Sequence, residues 1–83
     1  MGITLRQLRA FCAVYELKNF TRAAEALNLT QSTVSKLCSE LEKAVGLALF
    51  ERSARGVELL EGTAELYAYA QERSDRCARP NAA

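Results

Sequence analysis

Residues 20–41 read FTRAAEALNLTQSTVSKLCSEL, and this stretch decides the fold. Its spacing predicts a helix, a three-residue turn at 28–30 and a second helix. Ala24 is small enough to let the two helices approach, and Asn28 stands at the break. Asn accepts the left-handed backbone conformation that ends a helix better than most residues. Leu29 is expected to turn back to the core, and Thr30 to cap the helix that follows. Val34, Leu37, Leu41 and Val45 then recur on one side at helical spacing. Gln31, Ser32, Ser35, Lys36, Ser39 and Lys43 occupy the other side, short polar or cationic groups suited to a groove of bases and phosphates. The pattern is that of a helix-turn-helix, whose second helix enters the DNA major groove.

Working outward toward the N-terminus, Thr4-x-x-Gln7 reads as a capping box that opens a first helix. Leu5, Leu8, Phe11, Cys12 and Tyr15 form its apolar stripe, and Arg6, Arg9 and Glu16 are expected to face outward. That helix fades near Leu17, and Asn19 can cap the next, which buries Phe20, Ala23, Ala24 and Leu27. Toward the C-terminus, Gly46 is a natural stop for the third helix. Residues 47–59 have no helical period, and two brief strands around a tip at Ala54 to Gly56 suit them. The expected result is a β-wing that projects Arg52 and Arg55. From about Glu61 a helical pattern returns, with Leu66, Tyr69 or Ala70, and Arg73 on one face, and Pro80 ending it. So small a chain leaves this helix little to pack against, so its apolar side, with Tyr67 and Tyr69, suggests a partner helix.

At 83 residues the chain has room for one small domain. Hydrophobic residues make up 49% and charged residues 25%, an ordinary globular balance that argues against disorder. No apolar run approaches the roughly 20 residues of a membrane span. The N-terminus lacks the pattern of a secretory signal, and Met1-Gly2 alone is too weak for myristoylation. A cytoplasmic protein is the expectation. The net charge of +1 weighs against strong nucleic-acid binding, since Arg22, Lys36 and Lys43 are offset by Glu25, Glu40 and Glu42. Affinity for DNA must therefore come from where the cations sit, and it should weaken quickly with salt. The three cysteines, Cys12, Cys38 and Cys77, follow neither a disulfide framework nor a metal-ligand spacing. Cys12 and Cys38 read as buried small hydrophobes. Cys77, near the exposed end, could instead be a reactive thiol. The absence of histidine, a single aspartate and scattered glutamates leave no recognisable catalytic constellation. No cofactor or metal is expected.

A helix, a helix-turn-helix, a wing and a long last helix together resemble the N-terminal DNA-binding domain of LysR-type transcriptional regulators. LRQLRAFCAVYE, FTRAAEALNLTQSTVSKLCSELEKAVGLALFER and RGVEL carry the resemblance, over about residues 4–60. It implies a mainly α fold, with a winged helix-turn-helix at 1–60 built from a three-helix core and a short two-stranded wing. A linker and dimerisation helix at 61–79 and a disordered tail at 80–83 complete the expectation. Members of the family generally continue into an effector-binding domain of two α/β lobes, so the resemblance implies a fragment or a truncated member. A small-molecule effector is expected only with such a domain. Three positions depart from the family pattern. Ser32 stands where Pro is usual, Lys36 where Arg is usual, and Leu60-Glu61-Gly62-Thr63 where Thr-Glu-Ala-Gly opens the linker helix.

Gln31 is the strongest candidate for base reading, because its amide can pair bidentately with adenine and the family's equivalent position contacts bases. Ser32 and Thr33 could add base or methyl contacts. Ser35 and Lys36 suit phosphates, with Lys36 a point charge where an arginine would offer a planar fork. Thr21, at the start of the second helix, can hold a phosphate or simply cap. Arg52 resembles a family position that meets the DNA backbone, and Arg55 could enter the narrow minor groove. The expected partners are double-stranded DNA with a pseudo-palindromic operator, and a second copy paired through Leu66, Tyr67, Tyr69, Ala70 and Arg73. A winged-helix interaction module without DNA binding is the alternative reading. A narrower one is a molybdate-responsive type of regulator, whose DNA-binding domain is similar.

Overall fold

The structure is a computed structural model that describes residues 2–53 and 56–78, with side chains described to Glu72. Its elements are α1 (Leu5–Leu17), α2 (Phe20–Leu27), α3 (Gln31–Val45), β1 (Phe50–Ser53), β2 (Gly56–Leu59) and α4 (Thr63–Ala78). Each early boundary has a local cause. Thr4 and Gln7 close the capping box on α1, with the Gln7 amide N–H donating to the Thr4 hydroxyl at 3.1 Å. The Asn19 side chain accepts from the Arg22 amide at 2.8 Å, and the Thr30 hydroxyl from the Thr33 amide at 3.1 Å. Asn28 leaves α2 at φ 61°, Lys18 leaves α1 at φ 54°, and Gly46 leaves α3 at φ 78°.

β1 and β2 pair antiparallel, with Phe50 opposite Leu59 and Ser53 opposite Gly56. Gly56, at φ 121°, takes a backbone angle that an L side chain rarely adopts. Glu42 supplies what the sequence did not suggest. Its carboxylate accepts from the amides of Leu49 (2.8 Å) and Phe50 (3.2 Å), tying the entry of the wing to the end of α3. The Leu49 carbonyl in turn accepts from the Leu60 amide at 3.0 Å and from the buried Thr63 hydroxyl at 3.1 Å.

Two apolar clusters form the core. Ala10, Val14, Phe20, Ala23, Ala24, Val34, Leu37 and Cys38 fill the space between α1, α2 and α3. Leu8, Phe11, Leu41, Leu49 and Ala70 fill a second space, between α1, α3, β1 and α4. Phe50 borders both, with ring centroids 5.5 Å from Phe11 and 5.9 Å, edge-on, from Phe20. Phe50 of β1, joined by Val57 of β2, therefore seats the wing on the core.

Three expectations need correction. The last helix begins at Thr63 rather than about Glu61, because Gly62 sits at φ 86° and cannot continue a right-handed helix. That helix also has a partner within the chain. Leu66, Tyr67 and Ala70, expected to face a second copy, pack on α1 instead: Ala70 is fully buried and Tyr67 stacks on Tyr15 at 4.0 Å between centroids. The Tyr67 hydroxyl donates to the Glu16 carboxylate, and Gln71 donates to the same hydroxyl. Tyr69 is 41% exposed. Arg9, expected to point outward, is half-buried with its Nε fully covered. The side chains of Arg73 and Cys77, together with Pro80 and the tail at 80–83, lie outside what the structure describes. No helix among the described residues is long and apolar enough to cross a membrane.

Candidate nucleic-acid interface

The exposed side of α3 and the base of the wing enclose an open cleft of about 570 Å³. Gln31, Ser32, Ser35, Lys36, Ser39, Glu40 and Lys43 line it from α3, and Arg52 lines it from β1. Helical spacing alone puts the α3 residues on one face, since positions 32, 35, 36, 39 and 43 recur every three or four residues. The core-facing Val34, Leu37, Cys38 and Leu41 orient the opposite side inward and so turn this face out.

Arg52 owes its place to tertiary structure. Its guanidinium donates to the Ser35 hydroxyl, and its Cζ lies 4.1 Å from the centroid of the Phe20 ring. A guanidinium over an aromatic face gains electrostatic attraction from the ring quadrupole. Behind it, Asn19, Phe20, Gln31, Arg52, Ser53, Gly56 and Val57 enclose a second crevice of about 210 Å³. Gln31 and Arg52 belong to both spaces, so the start of α3 and the wing act as one surface.

The charge balance looks different in three dimensions. Lys36, Lys43 and Arg52 meet only Glu40 among the acidic residues lining the cleft. Glu40 itself accepts from the Gln7 side chain at 3.3 Å, and Glu42 is occupied by two backbone amides. Both glutamates thus also hold the fold, and each keeps its negative charge while accepting from these neutral donors. The cleft keeps an excess of cations.

Of the expected site residues, Gln31, Ser32, Ser35, Lys36 and Arg52 come together in the cleft. Thr21 stands beside it, its hydroxyl 3.4 Å from the Gln31 side-chain oxygen. Thr33 lies outside the lining, with its hydroxyl paired to that of Thr30 at 2.9 Å. Arg55 lies outside the described residues. Sequence reasoning missed Phe20 as the platform for Arg52. It read Phe20 only as core, and no local spacing connects residues 20 and 52. Among the described residues, no group of three or more His, Cys, Asp or Glu could hold a metal ion.

A family model described as a bacterial regulatory helix-turn-helix protein of the lysR family matches residues 5–63. The RuBisCO operon transcriptional regulator of Allochromatium vinosum is 45% identical over 71 residues, which are 86% of this chain and 24% of that protein. The chain thus spans about a quarter of the length of this curated relative. Among solved structures, the DNA-binding domain of BenM in complex with catB site 1 DNA superposes with a TM-score of 0.81 at 36% identity. That match covers 88% of this chain and 82% of the other. The CbnR DNA-binding domain, also in a DNA complex, gives a TM-score of 0.83 at 33% identity, covering 92% and 87%. With four helices, a two-stranded wing and a matching profile across residues 5–63, this chain belongs to the lysR family of bacterial regulatory helix-turn-helix proteins.

Proposed function

We propose that this chain binds double-stranded DNA sequence-specifically in the regulation of transcription, with α3 in the major groove. The observation that carries the reading is the cleft on the open face of α3, where Gln31, Ser32 and Lys36 meet Arg52 from the wing. A helix about 10–12 Å across fits a major groove about 12 Å wide, so the exposed N-terminal turns of α3 reach base edges. Gln31 reads a base there, and Ser32 adds a contact beside it. Ser35, Lys36, Thr21 and Arg52 hold phosphates, which set the register of the helix without reading sequence. Relatives solved in DNA complexes support the DNA-binding reading.

A second copy, paired across the outer side of α4 around Tyr69, places two recognition helices on a pseudo-palindromic site. The in-chain packing of Leu66, Tyr67 and Ala70 is what favours the outer side of that helix for pairing in this reading. An interaction module without DNA binding is not favoured. The two features that motivate it are a near-neutral charge and a tyrosine-bearing last helix. Against the first, the cleft lining sets Lys36, Lys43 and Arg52 against Glu40 alone, and against the second, the last helix packs on α1.

The test is binding to a pool of random duplexes across a salt series, followed by sequencing of the bound fraction. Convergence on a dyad-symmetric site, with affinity falling steeply as salt rises, supports the reading. No enrichment at low salt overturns it.

A further inference from the structure

β1 carries Phe50 and Arg52 two residues apart, so both leave the strand on the same face. Val57, directly opposite Arg52 on β2, shares that face and packs against the core between α1, α2 and α3. Phe20, the first residue of α2, meets two of these side chains at once. Its ring stands nearly perpendicular to that of Phe50, at 86°, and the Arg52 Cζ lies 4.1 Å over its centroid. Phe20 is 7% exposed, whereas Arg52 is exposed and lines the cleft on the open face of α3. A buried ring thus supports an exposed cation.

Ser35 completes the hold from α3. Arginine has donors only, so the Ser35 oxygen is the acceptor of the bond between them. The serine proton is left over, and it has no acceptor among the described residues. Ser35 lines the same cleft as Arg52, so its proton and the remaining guanidinium N–H groups are offered to one space.

We propose that Phe20 is a positioning residue for DNA binding, acting through Arg52: by holding that guanidinium beside Ser35 it sets one two-pronged seat for a backbone phosphate. The proposal rests on the DNA reading above and adds to it a residue of the core. A phosphate suits the seat because its oxygens are charged acceptors. One takes the serine proton while another takes a guanidinium N–H, and both bonds are charge-assisted. An arginine free to swing loses side-chain entropy on binding, and the ring and hydroxyl remove part of that loss in advance. A leucine in place of Phe20 keeps the site apolar but has no quadrupole to attract the cation.

The experiment is a double-mutant cycle on the affinity of the 83-residue chain for a duplex enriched from the random pool. Its variants are Phe20→Leu, Arg52→Ala and the two together, each first shown to be folded by circular dichroism. Phe20→Leu is expected to weaken binding about three- to tenfold on every duplex alike, with base preference unchanged. In the Arg52→Ala background the same change should weaken binding no further. Phe20→Tyr keeps an aromatic face and should bind within about twofold of wild type. A merely structural role for Phe20 gives an equal loss with and without Arg52, and that result overturns the proposal. So does a Phe20→Tyr variant that binds as weakly as Phe20→Leu. NMR of the free wild-type chain adds a readout that needs no variant: the Arg52 side-chain protons, held over the ring, should lie upfield of their ordinary positions. Ordinary positions overturn the proposal even if Phe20→Leu fails to fold. A wild type that enriches no duplex overturns the DNA reading and this proposal with it, whereas binding without coupling between residues 20 and 52 overturns this proposal alone.

Discussion

The guanidinium of Arg52 lies over Phe20, its Cζ 4.1 Å from the ring centroid, while its Nη2 donates to the Ser35 hydroxyl. One side chain from the wing is thereby held by residues of α2 and α3 before any ligand arrives. Holding a long side chain in place in advance reduces the ordering cost of binding.

This arrangement predicts different consequences for Arg52 and Gln31. Arg52→Ala should weaken binding to all duplexes alike and reduce the salt slope by about 1. Gln31→Ala should instead flatten base preference at one position, at a cost of about 1–3 kcal/mol for the preferred site. Arg52→Lys keeps the charge but loses the planar contact, and it should fall between wild type and Arg52→Ala. Bound-pool sequencing with each variant checks this. Identical effects of the two alanine variants on every sequence would end the division of roles.

Glu42 carries a stability prediction. Glu42→Ala strips the acceptor from the Leu49 and Phe50 amides, so unfolding free energy should fall by about 1–3 kcal/mol. Glu42→Gln retains a carbonyl oxygen and should lose less. Urea denaturation of the three proteins measures the order. An unchanged midpoint for the alanine variant means the tether is not holding the wing.

Alkaline pH should loosen the packing of α4 and the core. Burial pushes the Cys38 thiol up to about 12, with Glu42 adding to the rise and Arg52 opposing it. Burial, then the hydrogen bond to Glu16, pushes the Tyr67 phenol up to about 12. Both folded values lie above the ordinary 9.0 and 10.0. The native state therefore keeps protons that the unfolded chain releases. The associated stability is fully present below pH 9 and is lost progressively as pH rises toward 12. Tyr67→Phe should flatten the upper part of that decline in a pH series of denaturation curves. In the folded chain Cys38 should also resist thiol reagents at pH 8, since the thiolate is the reactive form.

Two substitutions on α4 separate packing within the chain from pairing between chains. Ala70 is fully buried, so Ala70→Leu overfills the space beside Phe11 and Leu41 and should cost about 1–3 kcal/mol. Tyr69→Glu, at a 41% exposed position, should weaken self-association. Denaturation at low concentration and sedimentation across a concentration series give the two readouts. Self-association indifferent to Tyr69→Glu would move the pairing surface elsewhere.

The sequence by itself determined what depends on residues close in the chain. Thr4, Asn19 and Thr30 start helices because a side-chain oxygen reaches an amide three residues on, and Asn28 and Gly46 end them because they accept the left-handed region. The periodicity of Val34, Leu37 and Leu41 likewise set which face of α3 turns outward, and with it most of the candidate interface. Tertiary structure decided what joins distant residues. Arg52 found Phe20 and Ser35, Glu42 found the amides at the start of β1, and Tyr67 found Tyr15 across more than half the chain. It also turned two glutamates that read as offsetting charges into parts of the scaffold. Such pairings leave no local signature, because a hydrogen bond or ring contact between remote segments depends on how whole elements pack, and helical spacing fixes only which side each element presents.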